Sequence, residues 1–438
     1  MSQFRLARIS LILAAIGLNA APALMTGAHA AAPAPAVAPK PDTIRPDLFK
    51  LLDPALVQKL MSEKKYAEIQ DKITQAELVA DRTPYETYVI DRMKLVLGST
   101  TGNDAMAMKA LEAVIASGRT SAEEQPRFIQ AMGNFHYNAK NYPKAIEWYL
   151  RYQKESPTPL LVRNALIRSY YLNNDYVTAM AALKPVIAEA EAAGKAPVQE
   201  DLRLLTSSAT KLKDTATYAA GMEKLVAYYP TDEFWTDMLH RLANKPNFNQ
   251  RLILDLFRLE TMAISTLASE EYTELAELAL IAGFPTEAKT AIDAGFAAGV
   301  LGTDSNAAKH KQLRDRANKG AADDAKNIAS GEASANKSKD GTGLTNLGYA
   351  YVSMGQFDKG IALMEQGIAK GGLKRADDAK LHLGVAYAKA GRKADAVKVF
   401  ESIKADDGLA DLAKYWMVWL NRPVAASAAP APAPATTK

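Results

Sequence analysis

Ala145 and Ala179 lie 34 residues apart, and around each the chain repeats itself: GNFHYNAKNYPKAIEWYLRYQKESP from Gly133 to Pro157, then IRSYYLNNDYVTAMAALKPVIAEAE from Ile167. A fixed period of this size marks stacked helical hairpins, because one hairpin cannot bury its apolar face alone and must do so against its neighbours. Such a stack offers long concave faces rather than a single catalytic pocket, so binding is the function expected first. The small residue at which the two helices of a hairpin cross can be followed through Ile69, Ala107, Ala145, Ala179, Tyr218, Leu254, Ala288, Ala325, Gly360 and Ala396, in steps of 34 to 39 residues. The expected fold is all-α: a right-handed α-solenoid of about ten hairpins spanning residues 48–422.

Two stretches of that body stand out. Around Ala325, near 304–340, LRDRANKGAADDAKNIASGEASANKSKDG has no aromatic and few large apolar residues, so a weak repeat with little area to bury is expected. From Gly408 to Asn421, Leu409, Leu412, Trp416 and Trp419 recur at helical spacing. They are expected to seat a closing helix on the last hairpin, since a terminal repeat must cover an otherwise bare apolar edge.

The ends read differently. Arg5 and Arg8, the apolar run Ile9 to Leu18 and the small-x-small site Ala28-His29-Ala30 are the three parts of a secretory signal, so residues 1–30 are expected to be cleaved and the chain to be periplasmic. The alternative is an inner-membrane anchor formed by the uncleaved signal; once it is removed, no integral membrane span is expected. Residues 31–47 and 423–438 are rich in Pro and Ala and read as a linker and a tail without a core. None of the 438 residues is a cysteine, which removes thiol catalysis and thiolate metal sites. Without the signal, 51 basic residues face 49 acidic ones, a balance that gives no basic face for nucleic acid.

A search for chemistry finds little. His136, His240, His310 and His382 occur in no metal-ligand spacing, so neither a metal nor a cofactor is expected. Gly341-Thr342-Gly343 follows a polar loop rather than a strand and reads as the start of a helix, with Thr342 or Thr345 near it. Ser62 and Lys65 fit SxxK but lack its companion motifs. The acid pairs Glu123-Glu124, Glu270-Glu271, Asp323-Asp324 and Asp377-Asp378 suit helix starts, where carboxylates meet the positive end of the dipole. The chain is expected not to be an enzyme; an enzyme using the stack as a substrate groove would be the alternative of another class, with no residues to nominate.

The hairpins resemble tetratricopeptide repeats. Twelve residues before Ala145, Ala179, Gly360 and Ala396 stand Gly133, Ile167, Gly348 and Gly384; three further on come His136, Tyr170, Tyr351 and Tyr387. Tyr142, Tyr176 and Phe357 fill the aromatic position at the turn, and Pro157 and Pro230 end second helices. The resemblance implies a concave surface lined by the second, fifth, ninth and twelfth residues of the first helices. In the best-formed pair these are Arg127, Gln130, Asn134 and Tyr137, then Asn164, Arg168 and Tyr171. Arginines, amides and tyrosines suit peptide backbones and acidic side chains, although the same residues would also serve as an ordinary solvated face. Gln130 stands where a clamp for a terminal carboxylate requires a basic residue, which argues against that particular ligand.

Several segments are also similar to the periplasmic tetratricopeptide proteins found with TonB, ExbB and ExbD. They are YYPTDEFWTDMLHRL from Tyr228, RLILDLFRLETMAI from Arg251, ELALIAGFPTEAKTAIDAGFAAGVL from Glu277, and the run from Asn346 to Phe400 with the closing KYWMVWL from Lys414. This resemblance implies an exported protein-binding scaffold, accessory to a TonB/ExbB-type energy-transduction or transport complex, with envelope proteins as partners. A scaffold for envelope assembly or polysaccharide export is the alternative.

Overall fold

The structure is a computed structural model that describes residues 42–422. The expected signal peptide, residues 31–41 of the linker and the tail at 423–438 lie outside the described residues.

Every regular element among the described residues is helical, so the chain has an all-α helical repeat fold. It divides into two compact units, the first ending at Ala182 and the second beginning at Leu183. The first unit holds α1 (Pro46–Leu51), α2 (Pro54–Ser62), α3 (Tyr66–Leu78), α4 (Pro84–Thr101), α5 (Asp104–Ala116), α6 (Glu124–Asn138), α7 (Tyr142–Glu155) and α8 (Arg163–Leu172). Helix α9 (Tyr176–Ala192) begins in the first unit and ends in the second. The second unit continues with α10 (Gln199–Leu212), α11 (Thr215–Tyr228), α12 (Asp232–Ala243), α13 (Ile253–Ala263), α14 (Ser269–Ile281), α15 (Pro285–Ala297), α16 (Ala307–Lys337), α17 (Thr342–Ser353), α18 (Phe357–Lys370), α19 (Ala376–Lys389), α20 (Lys393–Glu401) and α21 (Leu409–Asn421).

Eight of the ten register positions read from the sequence fall at the fourth residue of a second helix: Ile69, Ala107, Ala145, Ala179, Tyr218, Ala288, Gly360 and Ala396. Five residues before each of these, and before neither of the other two, stands a residue of positive φ: Lys64, Gly102, Lys140, Asn174, Lys213, Gly283, Gly355 and Gly391. One left-handed residue reverses the chain in the least length, and Asn, which tolerates that region, or Gly, which is free in it, is the economical choice. The side chain after the reversal often caps the new helix: Asn103 accepts from the Met106 N–H, Asn141 from Lys144 and Asp214 from Thr217.

Close approach of the paired helices is tightest between α17 and α18. A Cβ on Gly348 would stand 2.5 Å from the Gly360 carbonyl oxygen, and one on Gly360 would stand 2.5 Å from that of Gly348. At Gly133 the space that a Cβ would need is taken by the Tyr149 ring, and at Gly384 by the Phe400 ring, so there the glycine makes room for an aromatic rather than for a backbone.

Two positions depart from the expected register. Leu254 is the second residue of α13, which is joined to α12 by the longer connection 244–252. Ala325 lies exposed in the middle of the 31-residue helix α16, where the sequence suggested a hairpin. The apolar face of α16 is Leu313, Ala317 and Ala321, at steps of four, and its alanines favour uninterrupted helix. Gly320 occupies the turn position but serves packing instead, its Cβ position lying 2.8 Å from Cβ of Pro285. For the same reason Asp323-Asp324 sits mid-helix, unlike Glu124, Glu270-Glu271 and Asp377-Asp378, which lie in first turns.

In the first unit a continuous core runs from Leu48 to Leu166. The fold starts inside the stretch read as linker: Ile44 packs on that core and α1 begins at Pro46. Arg45 grips the buried Glu86 through its backbone N–H (3.0 Å), Nε (2.9 Å) and Nη2 (3.0 Å). Glu86 also closes a capping box with Thr83 at the start of α4. These hydrogen bonds, chiefly those from Arg45, hold the Glu86 carboxyl down at about 2 against the opposing effect of burial.

In the second unit the closing helix α21 does what its tryptophans suggested and more. Trp416, fully buried, stacks on Phe400 of the last hairpin with ring centroids 6.2 Å apart. Trp419 donates its indole N–H to the Met262 carbonyl of α13 (2.7 Å), and Lys414 pairs with Glu223 of α11 (2.7 Å). Lys245 meets Asp411, and Arg251 bridges Asp378 and Asp407. The end of the second unit is thereby fastened back onto its earlier helices.

Candidate functional site

The seven residues read as a binding surface lie on α6 and α8, the first helices of consecutive hairpins, both packed on α7. Helical spacing places Arg127, Gln130, Asn134 and Tyr137 along one face of α6, and Asn164, Arg168 and Tyr171 along the matching face of α8. Arg127, Asn134, Asn164 and Arg168 are exposed; Gln130, Tyr137 and Tyr171 are half-buried. The two tyrosines sit alike in their repeats: Tyr137 meets Tyr142 edge-on at 5.9 Å, and Tyr171 meets Tyr176 edge-on at 5.5 Å, both at 69°. Each pair fixes a flat amphipathic ring at the end of a first helix, a contact worth about 0.5–1.5 kcal/mol beyond burial.

Asn134 and Arg127 are also engaged within the fold. Asn134 accepts a hydrogen bond from the buried Tyr149 hydroxyl (2.7 Å), so its amide carbonyl is held in place while its NH2 group remains a donor. Arg127 pairs with Glu123 at 2.9 Å, a surface contact of little energy that a ligand can displace. The sequence reading passed over Leu161, which stands 34 residues after Arg127 in the repeat and is 64% exposed, with Leu160 beside it at 64%. The period itself was the signal that would have found Leu161.

The second unit presents a different interior, built from residues the sequence reading did not single out. Arg258 of α13, with a side chain 1% exposed, donates from Nη1 to Asp255 Oδ1 (2.6 Å) and from Nη2 to Glu287 Oε2 (2.7 Å) of α15. Its guanidinium lies over the Tyr349 ring of α17 at 4.4 Å and faces that of Phe284 at 5.3 Å. His382 of α19 places Nε2 2.8 Å from Asp255 Oδ1, and Lys389 stands 3.9 Å from Glu287. Burial opposes ionisation of both carboxyls, yet His382 and Arg258 hold Asp255 below its usual range and Arg258 does the same for Glu287. Burial pushes the Lys389 ammonium down. Four helices thus meet on a charge cluster, beside a cavity of about 520 Å3 whose walls include Met262, Tyr272 and Phe357. Such a cluster fixes helices relative to one another; the 127-residue separation of Asp255 and His382 left no local pattern to read.

Glu260, one turn and a half from Asp255, is 2% exposed, and its Oε1 has no hydrogen-bond partner. Burial, with the charge of Glu271 added, pushes its carboxyl up to about 7. Its folded pKa lies above the unfolded value, so the folded state keeps a proton between about 4.5 and 7 and loses stability as pH rises through that window. Glu260→Gln cannot titrate. In buffer containing EDTA, its stability relative to the parent chain should therefore rise by about 2–3 kcal/mol between about pH 5 and pH 8.5, read from urea melts at each pH. An unchanged difference across that range would show that Glu260 stays ionised.

Among the described residues no helix is long and apolar enough to cross a membrane. Residues 345–410, covering α17 to α20, match the tetratricopeptide repeat family. No curated protein sequence matches the chain. Among solved structures, the chain aligns with the TPR2AB-domain:pHSP90-complex of yeast Sti1 at 14% identity and a TM-score of 0.23, over 68% of this chain and 98% of that one. It aligns with Naa15/Naa10 bound to HypK-THB at 13% identity and a TM-score of 0.28, over 85% and 71%. At such scores neither alignment informs the arrangement or the ligand of this chain. Its own hairpins and their single left-handed turns make it an all-α helical repeat protein, of which residues 345–410 match the tetratricopeptide repeat family.

Proposed function

We propose that the chain is a periplasmic protein-binding scaffold, accessory to a TonB/ExbB-type energy-transduction or transport complex, and that α6 and α8 grip an extended segment of an envelope partner. The observation that carries this is the recurrence, at a 34-residue offset, of an edge-on tyrosine pair at the end of each first helix, beside which each helix presents one exposed arginine, Arg127 on α6 and Arg168 on α8, at different positions of the repeat. An extended peptide needs such repeated contacts along its length, and Tyr and Arg are the residue types that most often dominate binding energy. The signal-like N-terminus and the similarity of Tyr228–Leu242, Arg251–Ile264, Glu277–Leu301 and Asn346–Phe400 to the TonB-associated group support the envelope setting and the partner class.

Affinity capture from envelope extracts is the test. The parent chain should retain a protein of the TonB, ExbB or ExbD kind. The triple variant Tyr137→Ala, Arg168→Ala, Tyr171→Ala should bind that protein at least about tenfold more weakly, or about 1.4 kcal/mol, with helicity nearly unchanged. Capture of polysaccharide-export or assembly proteins instead would move the chain to that class of scaffold. Full binding by the triple variant would place the site elsewhere.

A further inference from the structure

The second unit contains a set of donors that the tetratricopeptide architecture does not call for. His240 on α12, Glu260 on α13 and Glu271 on α14 each bring one ligand atom to a common point, all within 4.8 Å of one another. His240 Nε2 lies 3.7 Å from Glu271 Oε1. The other Glu271 oxygen accepts from the Ala268 N–H at 2.7 Å at the start of α14, which fixes how the carboxylate is turned. Glu260 is the informative member. Its side chain is 98% removed from solvent, as its 2% exposure shows, and Oε1 meets no donor. A buried polar oxygen without a partner costs roughly 1–3 kcal/mol, and a glutamine or leucine would fill the same space without a carboxylate.

We infer that His240, Glu260 and Glu271 form a binding site for one divalent transition-metal ion of the zinc type. One imidazole nitrogen and two carboxylate oxygens are a donor set such ions accept, and three protein ligands leave a fourth position open. Four-coordinate zinc with bonds of about 2.0–2.1 Å sets its donors about 3.3 Å apart, so the three side chains must close by about 1.5 Å at most. The imidazole of His240 has room to do this, its side chain being 59% exposed. Glu271 is already oriented by its backbone hydrogen bond, as a ligand held from its outer side would be. The ion would tie α12, α13 and α14 together across the long 244–252 connection, where the hairpin lacks the tight left-handed turn of the others. Water or a donor from a partner would complete the shell.

The probe is the ion itself. The full chain, free of any affinity tag and stripped with EDTA, is titrated with Zn2+ by calorimetry and with Co2+ by visible absorption. The parent chain should bind one ion saturably, gain thermal stability from it, and show with Co2+ the intense visible bands of a four-coordinate site. His240→Ala and Glu260→Gln should each weaken binding at least about tenfold and abolish the thermal gain. Melts in EDTA establish that both variants are folded, Glu260→Gln being nearly isosteric. Binding that is equal in the parent chain and both variants, or no saturable binding by the parent chain, overturns the assignment.

Discussion

Replacing Arg258 by Leu should lower the stability of the second unit by about 3–5 kcal/mol, among the largest effects open to a single substitution in this chain. The reason is what remains behind. Asp255 and Glu287, with side chains 8% and 10% exposed, would keep their charges in a buried site, Glu287 without its main countercharge and Asp255 with His382 alone. Lys389 stands 3.9 Å from Glu287 and is itself pushed toward neutrality by burial, so it offsets little of the loss. The pH dependence has a definite sign. In the parent chain both carboxyls are held below their unfolded values, so they contribute stability above the usual carboxylate range and lose it as pH falls. In the variant they are free to take up protons, and the deficit should therefore shrink on acidification. Urea melts at neutral pH and at about pH 4.5 measure both statements. A loss below about 1 kcal/mol, or one independent of pH, would show that the cluster is not what fixes α13 against α15 and α19.

Gly348→Val should cost about 3 kcal/mol, because the new Cβ must enter a space in which the Gly360 carbonyl oxygen stands 2.5 Å away and neither helix can yield without moving its partner. Ala145→Leu and Ala396→Leu, at fully buried positions, should cost about 1–3 kcal/mol. Ala325→Leu should change little, since Ala325 is exposed on α16 and leucine is almost as good a helix former as alanine. Thermal melts of the four variants give the order directly. Equal losses at Ala145 and Ala325 would mean that the register is misplaced.

The crossing residues were legible because a hairpin must repeat its small and aromatic positions to stack, and eight of them sit where the spacing put them, at the fourth residue of a second helix. Tyr142, Tyr176 and Phe357 likewise start the helices expected of them. The turns carried a further signal that spacing alone did not use, a left-handed residue five positions before each true crossing. Gly320 shows why glycine by itself is not enough. It stands at the turn position, but α16 runs on through it because a close neighbour, Pro285, requires the missing side chain and the surrounding alanines favour helix.

The recognition face of α6 and α8 was readable because its positions recur with the repeat, although of the residue types only the tyrosines Tyr137 and Tyr171 and the amides Gln130 and Asn164 do. Asn134 is the qualified case: whether its amide faces a ligand or a neighbouring hydroxyl depends on Tyr149, fifteen residues away on the next helix. The charge cluster around Arg258 and the trio of His240, Glu260 and Glu271 could not be read at all. Their members come from three or more helices each, with contacts such as that of Asp255 with His382 spanning 127 residues, and they meet only once those helices have packed.

The groove is tested most directly by placing a photo-reactive residue at Arg168, on α8, and separately at Glu147, on the second helix of the preceding hairpin, and cross-linking in intact cells. The expected result is one discrete adduct from position 168 with an envelope protein of the TonB, ExbB or ExbD kind, lost when Tyr137→Ala and Tyr171→Ala are added, and none from position 147. Adducts from position 147 alone, or no envelope protein captured from position 168, would contradict the assignment of α6 and α8 as the binding face.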